Sequence, residues 1–345
     1  MVIFRVLLAI MVLFLTTEAS AKDKFNVAWS HYTGWEPWAY AQESGILKKW
    51  ADKYDIEIEL TLVNDYIESI NLYTAGQYDA CTMTNMDALT IPAVGGIDST
   101  ALIIGDSSNG NDGIVMKNGT SVKDLKGREV RLVELSVSHY MLARALEMNG
   151  MSEKDIKVFN TSDADIASLF VTDDNGAVVT WNPPLMQVRN AKGANLVFDS
   201  SQISGEILDL MVVKSDADPR FKKALTGAWY ETLEHLFGAS EKSKEAIEFM
   251  ASNSGATVAE FKSQLKTTAM YKADEAVKIA YSDELKKTMD YVRTFSFDKG
   301  LYGDGAESAD VVGIEYPDGS VVGNKANVKF RFDGTYMKMA AEGAL

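Results

Sequence analysis

The sequence predicts an α/β protein built as two lobes, each a β-sheet flanked by helices. Its 345 residues, 46% hydrophobic and 24% charged, indicate a globular chain that is too long for one ordinary core. From residue 25 onward, strand-like and helix-like segments alternate, which is typical of helices packed on mixed, mostly parallel sheets. A loop-like stretch at 106–113 interrupts this series, and a second α/β series follows it.

The first 21 residues have the pattern of a secretory signal peptide. Arg5 supplies a positive charge, residues 6–15 are all apolar, and the three residues ending at Ala21 form an A-x-A cleavage site. An apolar run of ten residues is too short to span a bilayer. We therefore expect a signal peptide at 1–21, a mature chain that begins at Lys22, and a periplasmic location.

The segments before residue 110 predict the first part of one lobe. Residues 56–62 alternate apolar and polar side chains with the period of a half-buried strand. Pro37 suits the first turn of a helix, Gly76 ends another, and Asn85 is a good N-cap for a third. The complete prediction here is strands at 25–29, 56–62, 80–83 and 100–105, with helices from 37, over 66–75 and after 85.

The remaining chain predicts a second lobe and a return to the first. Strands are predicted at 130–133, 156–159, 177–179, 195–198 and 208–213, and helices at 138–149 and 183–190. Four helices follow, at 219–237, 241–252, 258–268 and 282–297, and then a β-hairpin within 313–332. The predicted division is 22–110 with 214–345 for the first lobe and 111–213 for the second.

Charge and cysteine content exclude several classes of function. Lys and Arg number 34 and Asp and Glu 49, so a net charge of −15 makes nucleic acid and anionic membranes poor partners. Cys81 is the single cysteine, and only three histidines are present, so no Cys/His metal pattern exists. We expect no cofactor and no metal. No nucleophile elbow or phosphate loop is found, and the one conceivable acid/base pair is Glu134 with His139.

Five short motifs, in this order and spacing, resemble one family. They are the segments 34–37 (GWEP), 75–80 (AGQYDA), 122–127 (VKDLKG), 138–140 (SHY) and 181–184 (WNPP). Together they resemble ABC-transporter solute-binding proteins of the nitrate, sulfonate and taurine type. The first and last motifs are most similar to a subgroup found beside urea carboxylase genes and associated with urea and guanidine uptake.

The resemblance implies a two-lobed periplasmic-binding-protein clamp (type II) that holds a small molecule between its lobes. It implies an ABC permease in the inner membrane as the partner, and no enzymatic activity. We expect a monomer, because capture and delivery require only one clamp.

The predicted cleft is rich in carboxylates and aromatic rings. Ligands of open α/β sheets bind beyond the carboxyl ends of the strands. Here those ends are the loops 29–38, 64–66, 83–87, 106–113, 134–139, 181–184 and 204–209, which contain no Lys or Arg. A planar cation such as guanidinium needs acceptors at its edge and a ring at its face, so the residues favour guanidine first and urea second. A sulfonate, nitrate or pyrimidine precursor would be favoured instead if Glu134 pointed away from the cleft.

Nine residues are the candidate ligand contacts. Glu134, Asp112 and Asp209 would bind the edge of the cation, although the last two, on the passages between lobes, could instead cap backbone amides. Trp35 and Trp181 would stack on its face, or pack between the lobes, and Tyr32 would add its ring or hydroxyl. Asn85 would contact the ligand or cap its helix. Ser138 is first an N-cap, and His139 would face the ligand or Glu134.

Overall fold

The computed structural model describes residues 22–238 and 240–345. The predicted signal peptide at 1–21 lies outside the described residues. The chain first forms β1 (Asp23–Trp29), α1 (Glu36–Glu43), α2 (Ile46–Lys53), β2 (Ile56–Leu62), α3 (Tyr66–Thr74), β3 (Ala80–Thr84), α4 (Asn85–Ala88) and β4 (Ser99–Ser108). These elements belong to the first lobe.

The second lobe follows, and the chain then returns. The second lobe contains β5 (Asp112–Lys117), β6 (Glu129–Leu132), α5 (Val137–Met148), β7 (Lys157–Asn160), α6 (Asp163–Thr172), β8 (Ala177–Trp181), α7 (Pro184–Asn190) and β9 (Ala194–Asp199). The returning chain forms β10 (Leu208–Lys214), α8 (Pro219–Phe237), α9 (Glu241–Asn253), α10 (Val258–Leu265), β11 (Thr268–Met270), α11 (Ala273–Ala280), α12 (Asp283–Asp298), β12 (Gly313–Glu315), β13 (Val321–Gly323), β14 (Val328–Phe332) and α13 (Thr335–Ala341).

Two separate sheets form the cores of the two lobes. The first sheet has the order β13-β12-β14-β4-β10-β3-β1-β2, with β11 added on β4, and the second has the order β7-β6-β8-β5-β9. Six strand pairs are parallel and six are antiparallel. Both sheets are therefore mixed. The predicted fold class, a two-lobed α/β clamp, is confirmed.

The second crossing between lobes lies earlier than the sequence predicts. The chain leaves the first sheet after β4 and returns to it at β10, which pairs antiparallel with both β3 and β4. Because β10 lies inside the first sheet, the second lobe ends before residue 208 and not at 213. The two crossings are at 109–111 and 200–207.

Two predicted helix starts are displaced by a residue or two. Asn85 is the first residue of α4, and Thr84 is its N-cap, with a hydroxyl that accepts from the Asp87 N–H. Likewise α5 begins at Val137, capped by the Ser136 hydroxyl. Ser and Thr are strong N-caps, and here the N-cap is a Thr or Ser one or two residues before the residue that the sequence predicts.

The C-terminal segment extends the first sheet. β12 and β13 form the predicted antiparallel hairpin, and β14 then pairs parallel with both β12 and β4. Phe330 of β14 is completely buried, and Tyr316 stacks on Phe332 with 5.7 Å between ring centroids. The tail is therefore part of the first lobe's core.

Within the described residues, none of the helices combines the length and apolarity that crossing a membrane requires.

Phe330→Ala tests whether the tail strand is integral to the first lobe. Removing a fully buried ring from a packed core costs about 3–5 kcal/mol in the free energy of unfolding. The matched control is Phe237→Ala, because that ring is 56% exposed and surface substitutions usually change stability by about 0.5 kcal/mol or less. Scanning calorimetry should show a large loss for the first variant only. Equal behaviour of the two variants would mean that the tail packs loosely.

Candidate functional site

A small cavity lies between the two lobes, at the ends of the central strands. Its lining residues are Tyr32, Trp35, Tyr66, Thr84, Asp112, Val137, Trp181 and Asp209. The cavity contains about 230 Å³ of space that protein atoms do not fill, part of it continuous with solvent. The space therefore suits a ligand of a few heavy atoms.

The strand order explains why these residues meet. β1, β2 and β3 are parallel neighbours, so the segments that follow them lie at one edge of the first sheet. Tyr32 and Trp35 follow β1, Tyr66 follows β2, and Thr84 ends β3. The second lobe lies on the opposite side of the cavity and contributes Trp181, from the end of β8.

Three buried aspartates form an acidic cluster (Asp106, Asp112 and Asp209) at this site. Asp106 and Asp209 face each other across the β4–β10 ladder, and Asp112 begins β5. Their exposed fractions are 0%, 3% and 2%. Among the ion pairs of the described residues, none includes any of the three. The cluster is thus buried without a protein cation beside it.

Hydrogen bonds satisfy only part of the acidic cluster. Asp106 Oδ1 accepts from the Tyr32 hydroxyl at 3.0 Å, and Asp112 Oδ2 accepts from the Ser108 hydroxyl at 2.6 Å. The Oδ2 atoms of Asp106 and Asp209 are buried and have no hydrogen-bond partner. A buried carboxylate oxygen without a donor is costly, so these two atoms indicate a missing donor or a bound proton.

Burial raises the pKa of every member of the acidic cluster. It raises the pKa of Asp112 to about 7. Burial, followed by repulsion from the neighbouring carboxylates, raises the pKa of Asp209 well above its ordinary value, and burial raises that of Asp106. Loss of hydration disfavours the charged form of a carboxyl group. At neutral pH the acidic cluster therefore needs either protons or a positive charge from outside the chain.

Four aromatic rings form a continuous wall around the cavity. Tyr32 packs edge-on against Trp35 at 5.0 Å, Trp35 lies 5.6 Å from Tyr66, and Tyr66 packs edge-on against Trp181 at 5.4 Å. The Tyr66 hydroxyl donates to Asp87 Oδ2 at 2.6 Å. Trp181 Nε1 donates to the His31 carbonyl at 3.1 Å, across the lobes. The wall is therefore held in place by hydrogen bonds to the protein itself.

Five of the nine predicted contact residues line the cavity: Tyr32, Trp35, Asp112, Trp181 and Asp209. Asn85, Glu134, Ser138 and His139 do not.

Glu134 is the largest departure from the prediction. It is exposed, its backbone N–H donates to Asn160 Oδ1, and Leu135 after it has a positive φ of 60°. The chain turns sharply here to start α5, and Glu134 stays in solvent. His139 does not reach Glu134 either, because its Nδ1 accepts from the Leu135 N–H and its Nε2 lies 3.2 Å from Glu153.

Asn85 and Ser138 have structural positions near the site. Asn85 Nδ2 donates to the Glu206 carbonyl, and its Oδ1 accepts from the Leu208 N–H, so it fastens the second crossing to the first lobe. Ser138 is buried in the first turn of α5, and its N–H donates to the capping Ser136.

Sequence reasoning missed four residues of the site: Asp106, Tyr66, Thr84 and Val137. All four lie in segments that the strand-end rule marks, namely 106–113, 64–66, 83–87 and 134–139. Position alone therefore includes them, but the small uncharged side chains of Thr84 and Val137 give no reason to single them out. The described residues contain no group of three or more His, Cys, Asp or Glu side chains placed to hold a metal ion.

The fold is a two-lobed α/β clamp with a cavity between the lobes. Residues 45–217, which are 173 of the 345, match the family described as NMT1/THI5 like. The chain belongs to this family. No curated protein matches the sequence.

Solved structures share the fold at low sequence identity. The alkanesulfonate-binding protein SsuA from Xanthomonas axonopodis pv. citri, bound to MOPS, has a TM-score of 0.69 at 15% identity, covering 85% of this chain and 99% of that one. SsuA from Escherichia coli scores 0.67 at 15% identity, with 83% and 95% covered. The nitrate-binding protein NrtA from Synechocystis PCC 6803 scores 0.59 at 12% identity, with 94% and 99% covered. The two-lobed fold that the predicted resemblance implies is confirmed, and the urea carboxylase subgroup stays a prediction.

Gly34→Ala tests the packing of the site. A Cβ at this position would lie 2.3 Å from Asp106 Oδ2 and 2.5 Å from Tyr32 Cε1. It would displace Tyr32 or Asp106, and overpacking of this kind costs about 1–3 kcal/mol in the free energy of unfolding. Gly305→Ala is the control, since nothing lies within 4 Å of its Cβ position. Calorimetry should rank the first variant clearly below the second. A stable Gly34→Ala protein would show that the Tyr32–Asp106 contact is loose.

Proposed function

We propose that this chain is the periplasmic solute-binding component of an ABC uptake transporter, and that its ligand is a small planar cation, guanidinium before others. The fold neighbours are named as ligand-binding proteins, which supports the role of a clamp. The observation that carries the ligand class is the acidic cluster, buried between aromatic rings with two carboxylate oxygens unpaired. The partner would be an inner-membrane permease.

Glu134 lies in solvent, the case in which the sequence alone would favour an anion, but the charge of the buried acidic cluster disfavours one. The named ligands of the fold neighbours, sulfonates and nitrate, are anions, whereas none of the eight cavity-lining residues is a Lys or Arg. Two like charges ~4 Å apart repel by ~4 kcal/mol at an effective dielectric of about 20. One ionised member of the acidic cluster would therefore cancel a large part of the binding free energy of an anion.

An unpaired oxygen distinguishes among cations. Asp209 lines the cavity, and its Oδ2 needs a hydrogen-bond donor, which guanidinium supplies along its edges. A quaternary ammonium ion would suit the aromatic wall but has no N–H group to offer this oxygen. The small volume of the cavity also favours an unsubstituted ligand.

Urea is the second candidate, and one atom favours it. Trp35 Nε1 is a buried donor without a partner in the cavity wall, and a urea carbonyl could accept from it. Urea would nevertheless leave the charge of the acidic cluster uncompensated, so it should bind only when the cluster retains protons.

A binding role fits the site better than catalysis. The one acid/base pair that the sequence offers is Glu134 with His139. The two side chains do not meet, because His139 Nε2 contacts Glu153 and Glu134 is exposed.

A thermal-shift and calorimetric panel on residues 22–345 tests the ligand class. The panel contains millimolar guanidinium chloride, urea, tetramethylammonium chloride, taurine and nitrate. Ligand at 100 times its Kd stabilises the folded state by about 2.7 kcal/mol, which raises Tm by a few degrees. We expect this shift with guanidinium. In Asp209→Asn and Asp112→Asn, loss of a carboxylate that lines the cavity should weaken binding by about 2 kcal/mol or more, roughly thirtyfold.

Glu134→Gln is the matched control for those variants, since it removes an exposed carboxylate that does not line the cavity. Its affinity should equal that of the unaltered protein. A shift with taurine or nitrate and none with guanidinium would contradict the cation assignment. A larger shift with urea than with guanidinium would assign the site to a neutral ligand.

A further inference from the structure

Asp87 is a carboxylate of the first lobe that binds a helix of the second. Its Oδ2 accepts from the Tyr66 hydroxyl at 2.6 Å, from Thr84 Oγ1 at 2.8 Å and from the Val137 backbone N–H at 3.3 Å. Val137 is the first residue of α5, whose own cap, Ser136, binds the next N–H and leaves this one unpaired. The first N–H groups of a helix have no partner within it and carry partial positive charge.

Asp163 makes the reciprocal contact. It is the first residue of α6 in the second lobe, and its Oδ1 accepts from the Tyr66 backbone N–H at 3.2 Å. Tyr66 is the first residue of α3 in the first lobe, and the cap of α3, Asp65, binds the Glu68 N–H instead. Each lobe therefore gives one carboxylate to the first turn of a helix in the other lobe.

We propose that Asp87 and Asp163 form an interlobe latch, which holds the two lobes together independently of ligand contacts and positions Tyr66 in the cavity wall. Neither aspartate lines the cavity, so both act as positioning residues. Tyr66 joins the two halves, because its hydroxyl binds Asp87 and its N–H binds Asp163. Closing the lobes thereby places the ring of Tyr66 between Trp35 and Trp181.

Both contacts stabilise only the closed arrangement. In each, donor and acceptor come from different lobes, so separating the lobes breaks the contact and exposes both groups to water. The Ser162 hydroxyl adds a third contact of this type, to Asp65 Oδ2 at 3.0 Å. Hydrogen bonds to charged groups contribute about 1.5–3 kcal/mol each, which is tenfold or more in the ratio of closed to open molecules.

The test measures the distance between the lobes by double electron–electron resonance on the ligand-free protein. Spin labels go on Glu43→Cys in the first lobe and Asp174→Cys in the second, both at exposed positions. The native Cys81 is fully buried and should not be labelled. Burial raises the pKa of Asp87 and of Asp163 to about 6, so pH 8 keeps both ionised.

The variants are Asp87→Asn and Asp163→Asn, with Asp124→Asn as the control. Asp124 also accepts from backbone N–H groups at a helix start, those of Thr120 and Ser121, but within one lobe. We expect a closed population in the unaltered protein. The ratio of closed to open molecules should fall about tenfold in each latch variant and stay unchanged in the control. Thermal unfolding checks that each variant is folded. Asp163→Asn keeps the test decisive if Asp87→Asn does not fold.

Two results would overturn the latch: a ligand-free protein without a closed population, or closed populations in the folded latch variants equal to that of the control. A second measurement adds guanidinium chloride. If guanidinium does not change the closed population but the latch variants reduce it, the result would contradict the proposed ligand and still support the latch.

Discussion

The structure depends on one constraint: three carboxylates are buried together, and no Lys, Arg or His side chain of the described residues forms an ion pair with them. A solvated surface would screen such charges, but Asp106, Asp112 and Asp209 lie between the lobes and next to aromatic rings. Burial is the largest cause of their raised pKa values. A positive charge with N–H groups would satisfy the charge and the unpaired oxygens at once, and this is the basis of the proposed ligand class.

The fold supplies the site by joining strand ends from two sheets. Parallel strands of the first lobe place Tyr32, Trp35 and Tyr66 at one edge. The crossing strands β4, β5 and β10 carry the aspartates, because both passages between lobes run beside the cavity. The proposed latch would connect lobe closure to this geometry, since the same tyrosine lines the cavity and joins the two latch contacts.

Much of this arrangement could be predicted from the sequence, and the failures have local causes. Trp35 and Trp181 follow strands in motifs without helical periodicity. This pattern predicts a position in the cleft, and both line the cavity. Glu134 also follows a strand, but the left-handed turn at Leu135 leaves it in solvent, and strand position alone cannot show such a turn. The role of Asp87 has no signal in the sequence for another reason. Two of its partners, Tyr66 and Val137, lie 21 and 50 residues away along the chain, and only tertiary packing brings them together.

The most direct measurement is a carbon-13 NMR titration of the Asp106, Asp112 and Asp209 carboxyl groups, with and without guanidinium chloride. Without ligand, we expect Asp112 to titrate with a pKa of about 7 and the other two to titrate above the ordinary aspartate value of about 3.9. A bound cation favours the ionised form and should lower these pKa values, so binding releases protons and affinity falls as the pH drops below about 7. Ordinary pKa values without ligand, or no response to guanidinium, would contradict the account.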